Sequence, residues 1–484
     1  MTAHVQVGLA RKTVTTWGGV VFGAAASAPM VVLVGGIVAT YAGSQIVSVP
    51  LLFLVVGAVV ALLAVGYTAM AELAPHAAAY YSVLARGLGR SIGVAGGTVA
   101  LLAYNSIQIS LYGLLGYTMA GIAGGKWWVW AGVALLLVAV LGVRAITLTT
   151  GVLATVLIFS VLVVLVFTAS SAVDPGAGGI SWQGYDPGGL FAPGIGGALA
   201  LTVAAFMGFE VPGVLGEEAV ERGMVTRSVF LGALFLAGAY SIAAWAMGVA
   251  VGPGKVVAAV QGDPNLPFSI MQDRVGGFMT PVAQAATIFA IVTSLIAFHS
   301  VIARYTLAMA REGVLPALLA RSATGVRVSA PIGGSVLQSV IAAVTVATFA
   351  VLGADPFTTL FTWLSTLGAM GLLTLLIASS LAAMVYFRIP PRSAGMWASL
   401  VAPLLGIGFG SIILAAMILN VRSLLLAAPG SPFPLLLPLI VALTGAAGVL
   451  WARRLRRLRP EVYHGIGEGV PDVMDVPDDV NIRF

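Results

Sequence analysis

Long apolar stretches alternate with short polar breaks along most of the chain, and this rhythm predicts helices near 14–41, 47–74, 92–120, 127–144, 148–170, 194–221, 226–252, 280–310, 331–352, 357–386, 397–421 and 431–455. A helix needs roughly 20 apolar residues to cross a bilayer. The pattern therefore predicts an all-α integral membrane protein with twelve transmembrane helices, both ends emerging on one side. A small-residue cluster around Ala24 to Ala28 follows Arg11 and Lys12 and superficially resembles a signal cleavage site. The apolar run resumes at once through Met30 to Ala39, however, too long for a signal segment, so helix 1 is read as retained.

Two helices carry the same kind of interruption. Helix 1 reads Phe22-Gly23-Ala24-Ala25-Ala26-Ser27-Ala28-Pro29, and helix 6 reads Phe206-Met207-Gly208-Phe209-Glu210-Val211-Pro212-Gly213, with Pro212 lying 183 positions after Pro29. Helix starts at 14 and 194, and at 92 and 280, keep nearly that interval. The spacing predicts two five-helix repeats, 14–170 and 194–386, with helices 11 and 12 (397–455) added outside them. An odd number of helices per unit inverts the second repeat relative to the first, and paired interruptions of this kind point to a binding site.

Composition confirms the solvent. Of 484 residues, 60% are hydrophobic and 8% charged, against about 25% charged in ordinary soluble domains. A water-soluble globule is excluded. With the amino terminus placed in the cytoplasm, 19 of the 23 Lys and Arg fall in inside segments, and only Lys126, Lys255, Arg274 and Arg422 fall outside. Positive charge marks cytoplasmic loops, so residues 1–13 and 456–484 are predicted to be cytoplasmic in a multi-pass protein of the cell membrane. The net charge of +6 does not imply a nucleic-acid partner, because the basic residues are scattered through loops. The absence of cysteine excludes disulfides and thiolate metal sites. From Pro460 the chain turns acidic (Glu461, Glu468, Asp472, Asp475, Asp478, Asp479) and reads as a solvated end outside the bilayer.

Proline and glycine weaken helical backbone, so both interrupted segments are expected to unwind near mid-membrane, where irregular backbone must line a cavity. Half-helix amino ends there face an anionic group, and freed carbonyls face a cation or ammonium. A zwitterion satisfies both; a simple proline kink is the alternative. Glu210 is an ionisable group inside the second break, expensive at that depth and a candidate for function. It can serve as a structural acceptor for unwound amides or as a carrier that loads and releases a proton. Helix 3 carries Asn105, Gln108 and Tyr112 on one face, directed at a cavity or acting as interhelical glue. Helix 8 carries Thr293, Ser294 and His299, the histidine read as satisfied within the packing. Helix 10 carries Thr358, Thr359, Thr362, Trp363, Ser365 and Thr366. No enzyme motif of the His-Glu-x-x-His or phosphate-loop type occurs. A channel is the alternative from another class, although nothing repeats four-fold as a selectivity filter would.

Three motifs carry a resemblance. Phe206-Met207-Gly208-Phe209-Glu210 with Gly216-Glu217-Glu218-Ala219, then Ala71-Glu72-Leu73-Ala74-Pro75 with Tyr80 and Gly89, then Arg304 with Ala310-Arg311-Glu312-Gly313-Val314-Leu315-Pro316 and Ser329-Ala330-Pro331, are together similar to motifs of the amino acid–polyamine–organocation (APC) superfamily of transporters. The resemblance covers residues 14 to 455. It implies a LeuT-like fold with an amino acid or related amine held between broken helices 1 and 6. The substrate-binding residues it implies are Gly23, Ala24, Ala25, Ala26, Ser27, Phe206, Gly208 and Phe209, with Asn105 and Gln108 added from helix 3. The stretch Gly23-Ala24-Ala25-Ala26-Ser27 has alanine at the second of the paired glycine positions usual in the family, and Ala204 occupies a position where some members place a bulky aromatic. Glu210 matches the family acid tied to gating and proton sensing. Helix 5 offers Ser160 where some proton-coupled relatives carry a lysine, and Thr293, Ser294 and helix 1 carbonyls are candidate sodium ligands. The expectation is a secondary active transporter, proton-coupled, with no cofactor. A sodium-coupled symporter, an exchanger and an ion channel are the alternatives.

Overall fold

The computed structural model describes residues 13–143, 150–321, 331–389, 394–425 and 433–469. Arg11, Lys12, Arg144, Arg327, Arg392 and Arg483, the Ser329-Ala330 pair and the acids Asp472, Asp475, Asp478 and Asp479 lie outside them. The described chain is helical throughout apart from one isolated bridge between Val14 and Ala219. Among the described residues eleven helices are long and apolar enough to cross a membrane, where the sequence predicts twelve. In chain order they and one shorter apolar helix are α1 (Thr16–Ser44), α2 (Val49–Leu73), α3 (Arg90–Ala123), α4 (Trp127–Val143), α5 (Thr150–Val173), α6 (Ile195–Glu218), α7 (Met224–Val251), α8 (Met279–Arg311), α9 (Ile332–Val351), α10 (Pro356–Tyr386), α11 (Trp397–Leu419) and α12 (Leu436–Leu458). The exception is α4, whose 17 described residues fall short of the roughly 20 that a full crossing takes.

Enclosure grades outward from the two interrupted helices. Over their most apolar stretches α6 is 94% and α1 83% buried, against 22% for α12. Around α1 stand α5, α7 and α8, while α2 packs on α7, α10 and α11, and α3 on α8, α10 and α12. Small residues permit these approaches, as lipid-embedded helices require in the absence of a hydrophobic drive between them. A Cβ on Gly87 would come within 2.5 Å of the Ala382 carbonyl of α10, and one on Gly448 within 2.6 Å of the Ala95 backbone of α3.

Short helices absent from the sequence expectation cap the bundle. Val256–Gly262 and Leu266–Val275 connect α7 to α8, where Arg274 Nη2 donates to Ala250 O at 2.5 Å. At the other end Ala79–Leu88 lies between α2 and α3, and Pro460–Gly465 follows α12. The motif acids of the resemblance meet at this end. Glu72 accepts from the amides of Gly223 and Thr226 (3.1 and 3.0 Å) and so caps α7, where an acid favours the helix dipole. Glu217 accepts from Ala77 N–H at 2.8 Å, and Glu218 pairs with Arg304 at 3.2 Å. Val14 bonds to the end of α6, so both ends of the described chain lie here.

Glu312, just beyond α8, organises the carboxyl-terminal side. Its Oε1 accepts from His76 Nε2 (2.8 Å) and Gly469 N–H (2.9 Å), and its Oε2 from Tyr81 Oη and Gly467 N–H (2.8 Å). His76 Nδ1 accepts from Ala78 N–H, which leaves the ring proton on Nε2. Gly467 O in turn accepts from Ser82 Oγ and Arg86 Nε, and Arg90 pairs with Glu468 at 2.9 Å. The solvated end expected from Pro460 is thus corrected for residues 460–469. Gly467 and Gly469 bond to Glu312 just beyond α8 and Gly467 also to the Ala79–Leu88 helix, while Glu468 pairs with Arg90 of α3, a pairing of distant residues that composition does not encode.

Burial raises the Glu312 carboxyl, but the hydrogen bonds from His76, Tyr81 and the Gly467 amide outweigh it and hold the group below its ordinary 4.5. A depressed carboxylate stabilises at pH above that value and loses its contribution as pH falls through the lowered one. Residues 460–469 should therefore stay protected from proteolysis at pH 7 and be released only in acid below about 4.5. Glu312→Gln should remove about 2 kcal/mol of charge-assisted bonding and raise cleavage in this segment about tenfold or more at pH 7. Unchanged cleavage would remove Glu312 from this role.

Candidate functional site

Local chemistry breaks both central helices. In α1 the helix runs to Ala26 and restarts at Pro29. Pro29 brings no amide and drives the preceding residue out of the helical region, and Ala28 accordingly sits at ψ 128°. In α6 the regular helix ends at Phe206, and Met207 is extended. Gly208 follows at φ +115°, a conformation open to glycine and strained for other residues. The chain continues as a 3-10 segment, Val211–Glu218, rather than as regular helix.

The breaks face each other and satisfy each other. Ser27 Oγ donates to Met207 O and, more weakly, lies 3.4 Å from Phe206 O. Tyr240 of α7 donates to Ser27 O and is 3.1 Å from Ala205 O. Gly208 N–H donates to Glu210 Oε2 at 3.0 Å, and Tyr67 Oη to Glu210 O at 3.3 Å. Backbone groups that lost helical partners in a lipid-surrounded core are thereby repaired. Glycine makes the approach possible. A Cβ at Gly208 would fall 2.5 Å from Ser27 Oγ and 2.7 Å from Ala26 Cβ, and one at Gly23 would fall 3.2 Å from Gly208 O.

A cavity of about 50 Å3 opens beside the junction. From the breaks it takes Ala26, Ser27, Ala28 and Met207; Val31, Val32 and Gly36 of α1 and Leu201, Ala204 and Ala205 of α6 continue the wall. The far side is Ile107, Ser110 and Leu111 of α3, Phe298 of α8, and Phe361 and Ser365 of α10. Val32 and Gly36 fall in a π-helical turn of α1, Val32–Ile37, and Phe361 in one of α10, Pro356–Phe361. Wide turns of this kind recur at functional sites.

Of the residues expected to bind substrate, Ala26 and Ser27 line this cavity. Gly23, Ala24, Ala25, Phe206, Gly208 and Phe209 are buried in or beside the breaks without lining it. The Phe206 ring packs against Phe53 and Tyr240. Gln108 is turned elsewhere: its amide donates to Leu295 O at 3.1 Å and its Oε1 accepts from Gln338 Nε2, which ties α3 to α8 and α9. Asn105 donates to Leu101 O on its own helix at 2.8 Å. The glue alternative thus describes Gln108, because a polar stripe marks a face of α3 without saying which neighbour covers it.

The coupling candidates are dispersed around α1. Ser294 Oγ donates to Ala25 O at 2.8 Å, while Thr293 bonds back to Ala290 O on its own helix. Ser160 is fully buried on the packed face of α5 and its hydroxyl has no partner. Glu210 is fully buried; its Oε1 makes no hydrogen bond of normal length among the described residues, and the hydroxyls of Tyr80 and Tyr104 lie within its electrostatic reach, Tyr104 as a donor directed at the carboxyl. His299 Nε2 is held by Ser335 Oγ at 2.7 Å, while its buried Nδ1 has no hydrogen-bond partner among the described residues, so the packing satisfies only half of the ring. Sequence reasoning missed Tyr67 and Tyr240, which belong to no motif or stripe singled out from the sequence, and Ser110, which lies on α3 beside the stripe of Asn105, Gln108 and Tyr112.

The family model for amino acid permeases matches residues 19–443. The chain belongs to the amino acid permease family. No curated protein among those compared matches it. Both breaks and the whole cavity of this permease fall inside the matched region, so the resemblance drawn from the motifs is confirmed by the full-length pattern.

Gly208→Ala should be among the most damaging single-methyl changes in the permease, since it combines a left-handed backbone with a 2.5 Å clash and should cost about 2–4 kcal/mol. Thermal unfolding in detergent should show a clear loss, whereas Gly232→Ala, with open space at its Cβ, should be near neutral. Equal stabilities would contradict the close approach of the two breaks.

Proposed function

We propose that this permease is a secondary active transporter that carries an amino acid or related amine across the cell membrane by alternating access, coupled to protons. The observation that carries this reading is the pair of facing helix breaks joined through Ser27, with a cavity beside them at mid-span. The restart of α1 at Pro29 leaves first-turn amides without intrahelical acceptors, suited to a carboxylate, and the carbonyl ends of the preceding half-helices suit an ammonium. In this reading α1 to α5 and α6 to α10 are inverted repeats, α4 completes twelve crossings, and α11 and α12 stand outside the repeat. The end carrying Glu312 faces the cytoplasm, supported by Arg86, Arg90, Arg222, Arg227 and the run Arg453 to Arg459 around it.

Glu210 is the proposed proton carrier. A carboxylate with one oxygen committed to Gly208 N–H and the other without a hydrogen bond of normal length among the described residues can change its protonation state while keeping its tie to the α6 break. Rocking of one repeat against the other would then alternately wet and dry it. Sodium coupling is the second reading, favoured by Ala25 O, Ser294 Oγ and the unpartnered Ser160 Oγ around α1, hard oxygens of the kind that alkali ions take.

Purified permease in liposomes should accumulate labelled amino acid in a saturable way when a proton gradient is imposed, and Glu210→Gln should flatten the pH dependence while leaving thermal stability largely intact. A sodium gradient acting alone would move the coupling to the second reading. Uptake only against preloaded substrate would mean exchange, and ion current without saturable solute would mean a channel.

A further inference from the structure

We infer that the transported molecule is a neutral amino acid with a short aliphatic side chain, which excludes the cationic amines left open above. The inference rests on the proposed binding of substrate at the two breaks. Ser27, Ala28 and Met207 belong both to the breaks and to the cavity wall, so a zwitterion held by the breaks has a place for its side chain directly beside it. That place is the cavity beyond them.

The lining carries no ionisable side chain. Its wall is Val31, Val32, Ile107, Leu111, Leu201 and Phe361, and its polar side chains are the hydroxyls of Ser27, Ser110 and Ser365. All three hydroxyl protons are committed within the protein. Ser27 donates to Met207 O, Ser365 to Ser110 Oγ at 3.0 Å, and Ser110 to Ile107 O at 2.7 Å. An ammonium or carboxylate at the end of a ligand side chain would leave water and meet no opposite charge, the costliest form of burial. A short alkyl group loses nothing by entering and gains contact with the wall.

Size follows from the small residues. Ala26, Ala28, Gly36, Ala204 and Ala205 leave room in the wall, and the space is about 50 Å3. Ala204 stands at the wall where a larger residue would reach into the cavity. It is therefore a specificity-determining position, and Ile107 opposite it on α3 is the second. A methylene gained or lost in an apolar pocket changes discrimination by roughly tenfold or more.

The test is uptake into liposomes holding the full chain, with proton and sodium gradients both imposed, of labelled L-alanine, L-valine, L-phenylalanine, L-lysine, L-glutamate and putrescine. Saturable uptake of alanine and valine is expected, with lysine, glutamate and putrescine at least about a hundredfold lower in kcat/KM. Ala204→Phe should reduce valine uptake about tenfold more than alanine uptake, and Ile107→Ala, which removes rather than adds volume, should raise phenylalanine relative to alanine. Saturable uptake of lysine, glutamate or putrescine at the rate of alanine would overturn the substrate class and leave the transporter reading standing. Absence of saturable uptake for every compound would overturn both. Variants that lower all substrates equally would remove the side chain from this cavity.

Discussion

An unpaired backbone group costs several kcal/mol where no water can reach it, and the centre of this protein is arranged around that constraint. Two helices are broken where they should be most regular, and each exposes carbonyls and amides in the most enclosed part of the bundle. The repair is mutual. Ser27, at the end of the first half of α1, bonds to carbonyls of the α6 break, and Tyr240 closes the triangle from α7. Removing either break would lose the Ser27 bond to Met207 O that joins them. The close approach that permits the exchange depends in turn on Gly23 and Gly208.

Much else follows from that junction. Glu210 holds its own segment through Gly208 N–H, and the tyrosines of α2, α3 and the Ala79–Leu88 helix gather around it. The cavity lies beside the breaks, and residues of the π-helical turns in α1 and α10 form part of its wall. At one end of the bundle the acids of three sequence motifs act as fasteners between elements rather than as ligands: Glu72 on α7, Glu217 and Glu218 on their neighbours, Glu312 on the segment after α12. The mid-span junction is held instead by bonds from Ser27, Tyr240 and Tyr67 to backbone oxygens and by Gly208 N–H to the Glu210 carboxyl.

Several expectations from sequence hold because their cause is local. Apolar runs of membrane length, the absence of enough charge to cover a wet surface, and proline beside glycine in α1 and α6 act within a turn or two of chain. The membrane class, nearly every span and both breaks were legible for that reason. The helix 3 stripe shows the limit. Its spacing placed Asn105 and Gln108 on a face, but Gln108 meets Leu295 and Gln338 from α8 and α9, whereas the cavity receives Ile107, Ser110 and Leu111 from the adjoining face of the same helix. In lipid both faces are apolar overall, so hydrophobic periodicity does not say which neighbour each one meets.

The sequence by itself determined that this is a multi-spanning helical protein with two interrupted helices and a buried acid in the second, because hydropathy, proline and glycine act on the nearest residues. Only the tertiary structure decided which oxygens remain free, which residues line the cavity, and that residues 460–469 are fastened to Glu312. Each of those outcomes rests on bonds between positions that lie 35 to 385 residues apart, such as Ser27 with Met207 and Ser82 with Gly467, and a hydroxyl or a glycine carries no mark in the chain of the distant carbonyl it will meet.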